Sequence, residues 1–252
     1  MSYVDLETTL RDWIYDPDQI SVRKIIGVDG NVKVQMRIEL GVLQMEATGR
    51  PDGAASLLDH HRKRLARFEQ RNGTTLGFSL SPQQCQDLRS EASLYYRRFV
   101  SFFVLEEYEE VIQDTSHSLG IFDLCREYAA EAEDRIALES FRAYVLMMDA
   151  RARANEAIEA GEPASALAHV NRGIMHLKSF FEESIEGDAT ESIEQSGELR
   201  ILRDLAKDIS ASIPEDSPIV TRKALRVAIE EERFEEAARL RDALKEFGFI
   251  EE

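Results

Sequence analysis

Val32-Lys33-Val34-Gln35-Met36-Arg37-Ile38-Glu39-Leu40 alternates apolar and polar side chains without a miss, and no other stretch restricts the fold so tightly. A period of two sends successive side chains to opposite faces of an extended chain, so a half-buried strand is expected here. Asp29-Gly30-Asn31 precedes it with residue types that tolerate positive φ, which joins the strand to Val22–Val28 as a hairpin. Gly41 interrupts the alternation, after which Val42–Ala47 either continues past a bulge or adds a third strand. Gly49-Arg50-Pro51-Asp52-Gly53 closes the region with turn chemistry. A sheet this small is marginal alone, so its apolar face has to pack on helices.

From there the period changes. Leu57, Leu58, His61, Leu65 and Phe68 fall on one helical stripe that Asn72-Gly73 ends. Thr74–Leu80 reads as a short extended piece. Ser81-Pro82-Gln83-Gln84 then opens a second helix, with Ser81 as N-cap, Pro82 in the first turn and Gln84 placed to close a capping box. Tyr95, Tyr96, Phe99, Phe102 and Phe103 give that helix an aromatic load whose spacing suits a core face. Residues 182–198 lose apolar periodicity and gain Gly, Ser and Glu, the composition of an acidic loop. Leu199–Ile213 returns to an amphipathic helix, and Pro214–Pro218 reads as a linker.

Two segments resemble tetratricopeptide hairpins: residues 102–112, with Tyr108-Glu109-Glu110 opening a second helix, and residues 154–168, with Gly161 at the turn. Small Ala166 falls where two helices would approach closely. The two turns lie about 55 residues apart, whereas tetratricopeptide arrays repeat every ~34 residues. The expectation is therefore a stack of helical hairpins, not a regular solenoid.

Beyond the linker the chain reads Leu225-Arg226-Val227-Ala228-Ile229-Glu230-Glu231-Glu232-Arg233-Phe234-Glu235-Glu236-Ala237-Ala238-Arg239-Leu240-Arg241-Asp242-Ala243-Leu244. This resembles the UVR motif of UvrB and UvrC: an apolar residue, then Ala, then Phe-Glu-x-Ala-Ala-x-x-Arg-Asp and a closing aliphatic. Leu225, Ala228, Phe234, Glu235, Ala237, Ala238, Arg241, Asp242 and Leu244 occupy those positions, with Phe247 a further closing apolar residue. In UvrB and UvrC the motif joins the two proteins, and related copies occur in Clp-type ATPases and McsA-type kinase activators. The resemblance implies protein–protein association through these nine residues. On physical grounds Phe234 is expected to plug the space between two antiparallel helices, Ala237 and Ala238 to permit close approach, and Arg239 to pair with Asp242.

Composition restricts the chemistry further. A net charge of −17 opposes general nucleic-acid binding, since neutralising phosphates supplies most non-specific affinity. The charge is uneven: residues 60–98 hold eight bases against three acids, and residues 181–220 eleven acids against three bases. The basic stretch (His61, Arg62, Lys63, Arg64, Arg67, Arg71, Arg97, Arg98) forms a solvated face, pairs with the chain's own acidic segment, or meets an acidic partner or a nucleic acid. Cys85 and Cys125 make no disulfide framework and match no metal spacing, which suits a reducing compartment. The acidic start lacks the pattern of a secretory signal, and no apolar run is long enough to cross a bilayer, so a cytoplasmic location without membrane attachment is expected.

No reactive constellation can be assembled. His60 and His61 are neighbours on one helix and cannot both face one metal, and His169 and His176 share a face but lie two turns apart with no carboxylate at ligand spacing. Asp52 in its Gly-rich turn does not form a phosphate loop. The Walker pattern and Gly-x-Ser-x-Gly are absent from the sequence, and no cysteine neighbours a base.

The expected fold is α+β and mainly α, with an antiparallel β segment in 1–53, helical hairpins in 54–213, and a linker with a UVR-like hairpin in 214–252. The expected function is that of a non-enzymatic adaptor or scaffold without cofactor or metal. Its partner would be a UVR-motif or Clp-type protein, or a second copy in a homodimer. The alternative is a DNA-repair or nucleoid accessory that touches nucleic acid through residues 60–98.

Overall fold

A computed structural model describes residues 6–184, 188–213 and 218–246. The chain divides into two compact units, Met1–Arg153 and Ala154–Glu252. It is mainly helical, with one small antiparallel sheet near the amino terminus.

In the first unit a short helix α1 (Glu7–Leu10) precedes β1 (Val22–Ile26), β2 (Val32–Ile38) and β3 (Gly41–Glu46), ordered β1-β2-β3. Lys24 faces Val34 across one ladder, and Val34 faces Met45 across the other. Gly41 starts the third strand and does not bulge the second. Its partner is Ile38, so Glu39-Leu40 forms a two-residue turn.

The alternation in β2 does divide the faces, with Val34 and Met45 buried in the core. The opposite, polar face is nevertheless not left to water. Arg23 Nε donates to Gln35 Oε1 and Gln35 Nε2 to Gln44 Oε1, each at 2.8 Å, which makes a cross-strand polar row. Lys33 is buried beside it, with Asp29 and Glu46 as its carboxylates. Residues 9–15 approach this row: Trp13 lies 4.1 Å beneath the Arg23 guanidinium, and Arg37 Nε donates to the Trp13 carbonyl at 3.0 Å. Long polar side chains can line a buried face when each charged or amide end keeps a partner.

Helices α2 (Leu57–Asn72), α3 (Pro82–Val104), α4 (Tyr108–Tyr128), α5 (Ala132–Ile136) and the start of α6 (Glu139–Glu159) complete this unit. The capping box at Ser81 and Gln84 forms as its residues require, with Pro82 in the first turn. Gly73 ends α2 in the left-handed conformation. The stretch after it is anchored as a bridge: Leu80 N donates to the Tyr128 carbonyl at 2.7 Å, and Ala130 N to the Leu80 carbonyl at 2.9 Å. The core is Leu58, Leu80, Leu88, Phe99, Phe102, Val111 and Ile121.

The second unit holds the end of α6, then α7 (Pro163–Ser184), α8 (Thr190–Gln195), α9 (Gly197–Ser212), α10 (Pro218–Glu230) and α11 (Phe234–Glu246). Helices α7 and α9 pack together, burying Ala166, Val170, Leu177, Leu199 and Leu202. The acidic stretch expected as a loop is substantially helical. Residues 190–195 form α8, and Ser196 caps α9 by accepting from Leu199 N at 3.1 Å. Ser196 and Gly197 thus mark a helix boundary. Residues 214–217 of the expected linker lie outside the described residues.

Three helix pairs are joined by one kind of turn. The amide of Glu107 donates to Phe102 O at 2.9 Å, that of Glu162 to Ala157 O at 2.8 Å, and that of Arg233 to Ala228 O at 2.8 Å. The residue before each donor, Glu106, Gly161 or Glu232, has φ of 60°, 74° or 58°. This is the Schellman arrangement, in which a left-handed residue lets the next amide satisfy an otherwise orphaned helix carbonyl. In every case the accepting residue is buried, and so is the residue one turn into the following helix: Val111, Ala166 and Ala237.

Candidate functional site

The carboxy-terminal hairpin is built from two amphipathic helices, α10 and α11. On α10, Thr221 and Ala228 are buried, seven residues apart; on α11, Ala237 and Leu244 repeat the same interval. Seven residues span two turns, so each pair marks one stripe and the stripes face each other. Ala228 and Ala237, both nearly or fully buried, allow the backbones to come close beside the turn.

Phe234 does not plug this seam. It begins α11 and is 69% exposed. The reason is local: the left-handed Glu232 brings the chain round so tightly that Ala228 and Ala237 already fill the space beside the turn. Phe234 instead edges a shallow open recess with Arg233, Glu236 and Arg239. Ile229, on the other helix, is 54% exposed.

The nine motif positions therefore separate by role. Ala228, Ala237 and Leu244 are buried in the seam, while Leu225 and Ala238 are half-buried. Phe234, Glu235, Arg241 and Asp242 are exposed. The ion pair expected between Arg239 and Asp242 is not the one formed: Asp242 accepts from the adjacent Arg241 at 2.8 Å. Arg233 at the turn pairs with Glu231 at 2.6 Å and with Glu236. Phe247 lies outside the described residues.

The first unit contains a carboxylate–histidine pair that spacing in the sequence did not reveal. Glu91, fully buried on α3, lies 2.7 Å from His117 Nε2 on α4. It also accepts from Leu57 N at 2.8 Å, Leu58 N at 3.3 Å and Ser56 Oγ at 3.3 Å, with Arg50 Nη1 at 3.3 Å. The Tyr95 ring stacks on His117 at 3.8 Å between centroids. Burial pushes the Glu91 carboxyl up, but the hydrogen bonds from His117 and the two amides hold it below its ordinary value. Those amides begin α2, so Glu91 caps one helix from the middle of another. Both of its oxygens accept hydrogen bonds within this network. A readable signal existed: Leu88, Glu91, Ala92, Tyr95 and Phe99 are a buried helical stripe with one charge in it.

The basic stretch 60–98 is only partly used inside the unit. His61 is buried, and Arg64 donates to Ser79 O at 2.9 Å while covering the Phe78 ring at 4.8 Å. Arg98 grips Asp114 through two bonds of 2.7 and 2.8 Å. Arg62, Lys63, Arg67, Arg71 and Arg97 remain exposed. Cys85 and Cys125 are both buried, with their thiols close enough to influence one another. Among the described residues, no group of His, Cys, Asp and Glu comes together as a metal site, and no helix is long and apolar enough to cross a membrane.

Comparison of the chain with protein-family models, curated proteins and solved structures gives no match.

Proposed function

We propose that this chain is an adaptor that associates with other proteins through the α10–α11 hairpin. One observation carries the reading: Phe234, an aromatic position of the UVR-like pattern, is exposed although the hairpin's own seam is already filled. An exposed aromatic flanked by Arg233, Glu236 and Arg239 has the composition of an interface anchor with a charged rim. The chemistry that fits is a second helical hairpin of the same class, on a UVR-motif or Clp-type protein or on another copy of this chain in a two-fold pair. The cytoplasm is the compartment this reading requires. Within the basic stretch, His61, Arg64 and Arg98 are engaged internally, and the net charge of −17 opposes contact with phosphates, which favours the adaptor over the nucleic-acid reading.

The experiment compares wild type, Phe234→Ala and Ala238→Arg. Self-association is measured by sedimentation, and retention of UVR-motif or Clp-type proteins by affinity purification from the native organism. Both variants are expected to keep wild-type helicity and to lose association. Identical oligomeric state and identical partners in all three proteins would remove the adaptor reading.

A further inference from the structure

In the first unit, α3, α4 and the start of α6 enclose a cavity of about 510 Å³. Its inner wall includes Phe99, Phe122 and Tyr144, with Tyr144 5.9 Å from Tyr96 and 6.4 Å from Phe99 between ring centroids. At its mouth stand Tyr96 and Phe141, 45% and 57% exposed. Cavities of about 300–1,000 Å³ with an apolar, aromatic lining and a few polar groups are the usual form of a small-molecule site. Two aromatic rings held half-open at such a mouth forgo burial that a ligand would restore.

The two arginines on the lining decide the ligand's charge. Arg89 is committed to Asp134 at 2.5 Å. Arg97 is exposed, and among the described residues no carboxylate pairs with it. An unpaired guanidinium beside an aromatic recess favours an anion with a hydrophobic body, because the cation gains a charge-assisted partner while the body leaves water. A cationic ligand of the same shape is repelled by Arg97, which opposes the attraction the ring faces offer it. The geometry points to a small apolar acid as the ligand: a planar hydrocarbon body among the rings, with one carboxylate-class group at Arg97. This site is independent of the carboxy-terminal hairpin.

Calorimetric titration of the full chain with 1-naphthoate tests it, against 1-naphthylmethylammonium as a probe of the same body and opposite charge. A single-site isotherm for naphthoate is expected, with the ammonium at least about tenfold weaker. Arg97→Gln should abolish that preference. Ser93→Trp, a change at an exposed position of the lining, should block entry. Phe234→Ala should leave the isotherm unchanged, which separates this site from the hairpin. Absence of naphthoate binding, equal affinity for the two probes, or binding that survives Ser93→Trp overturns the proposal. If circular dichroism finds Ser93→Trp misfolded, Arg97→Gln alone decides: a charge preference that persists in it is equally fatal.

Discussion

His117 Nε2 donates to Glu91 Oε1 across 2.7 Å, at a depth where the Glu91 side chain has no exposure to water. The same carboxylate holds the first amides of α2, so its charge joins three helices. Glu91→Gln keeps the shape but removes the charge and turns one acceptor into a donor facing other donors. Breaking a buried charged network of this kind costs about 3–5 kcal/mol. Urea unfolding at neutral pH should read that loss directly. The pH dependence follows from a folded pKa lying below the ordinary 4.5. The stabilisation is complete above the ordinary value and disappears as pH falls through the lower folded one. The variant should lack this part of the acid slope, and equal midpoints for both proteins at neutral pH would contradict the role given to Glu91.

Glu106 and Glu232 occupy left-handed backbone where Gly161 stands in the third turn of the same form. A residue with a Cβ pays roughly 1 kcal/mol there, which glycine avoids. Glu106→Gly and Glu232→Gly should each stabilise their hairpin by about that amount, less the entropy glycine adds to the unfolded chain. Gly161→Ala should act in the opposite direction. Thermal unfolding of the three variants checks the signs, and a fall in midpoint for both glycine variants would show that the turns are not strained.

Gly120 sits inside α4, where a Cβ would meet the end of Arg62 and lie 3.1 Å from Leu58 Cδ2. Arg62 can swing aside, whereas Leu58 is fully buried and has little room. Alanine gains ~1 kcal/mol of helix propensity over glycine, which offsets the modest push on Leu58. Gly120→Ala should therefore lie within about 1 kcal/mol of wild type. Gly120→Leu should cost about 1–3 kcal/mol by overpacking the α2–α4 contact. Chemical denaturation distinguishes the two; a harmless leucine would mean the helices separate easily at this point.

Cys85 and Cys125 meet although forty residues separate them in the sequence. Burial pushes the Cys125 thiol up to about 12, with Cys85 beside it adding to the effect. A thiol that stays protonated at neutral pH is a poor nucleophile. Neither cysteine of the native protein should react quickly with Ellman's reagent, and both should do so in denaturant. Rapid labelling of the folded chain would point to an opening of the α3–α4 pair.

Elements whose signals are local could be read from the sequence. The Val32–Ile38 strand, the Ser81 capping box and the end of α2 at Gly73 each depend on a few adjacent residues. The hairpin at Phe234 was legible as a hairpin, but the orientation of its aromatic ring was not. That depends on how closely Ala228 and Ala237 approach, which spacing does not measure. Cooperation between distant residues was hidden for the same reason. Glu91 reads as an anomaly on a buried stripe, yet nothing nearby identifies Leu57, Leu58 and His117 as its partners.

Arg98 gives this distance a kinetic meaning. Its guanidinium bonds Asp114, sixteen residues away, and the carbonyl of Glu46, fifty-two residues away. The first partner arrives when the α3–α4 hairpin closes, a local event; the second requires the strand region to return across a long loop, whose closure entropy is lost before the contact rewards it. Until that return, the edge of the Arg98 guanidinium that meets Glu46 is left to water, so docking of the sheet is the step expected to complete the network and to come later.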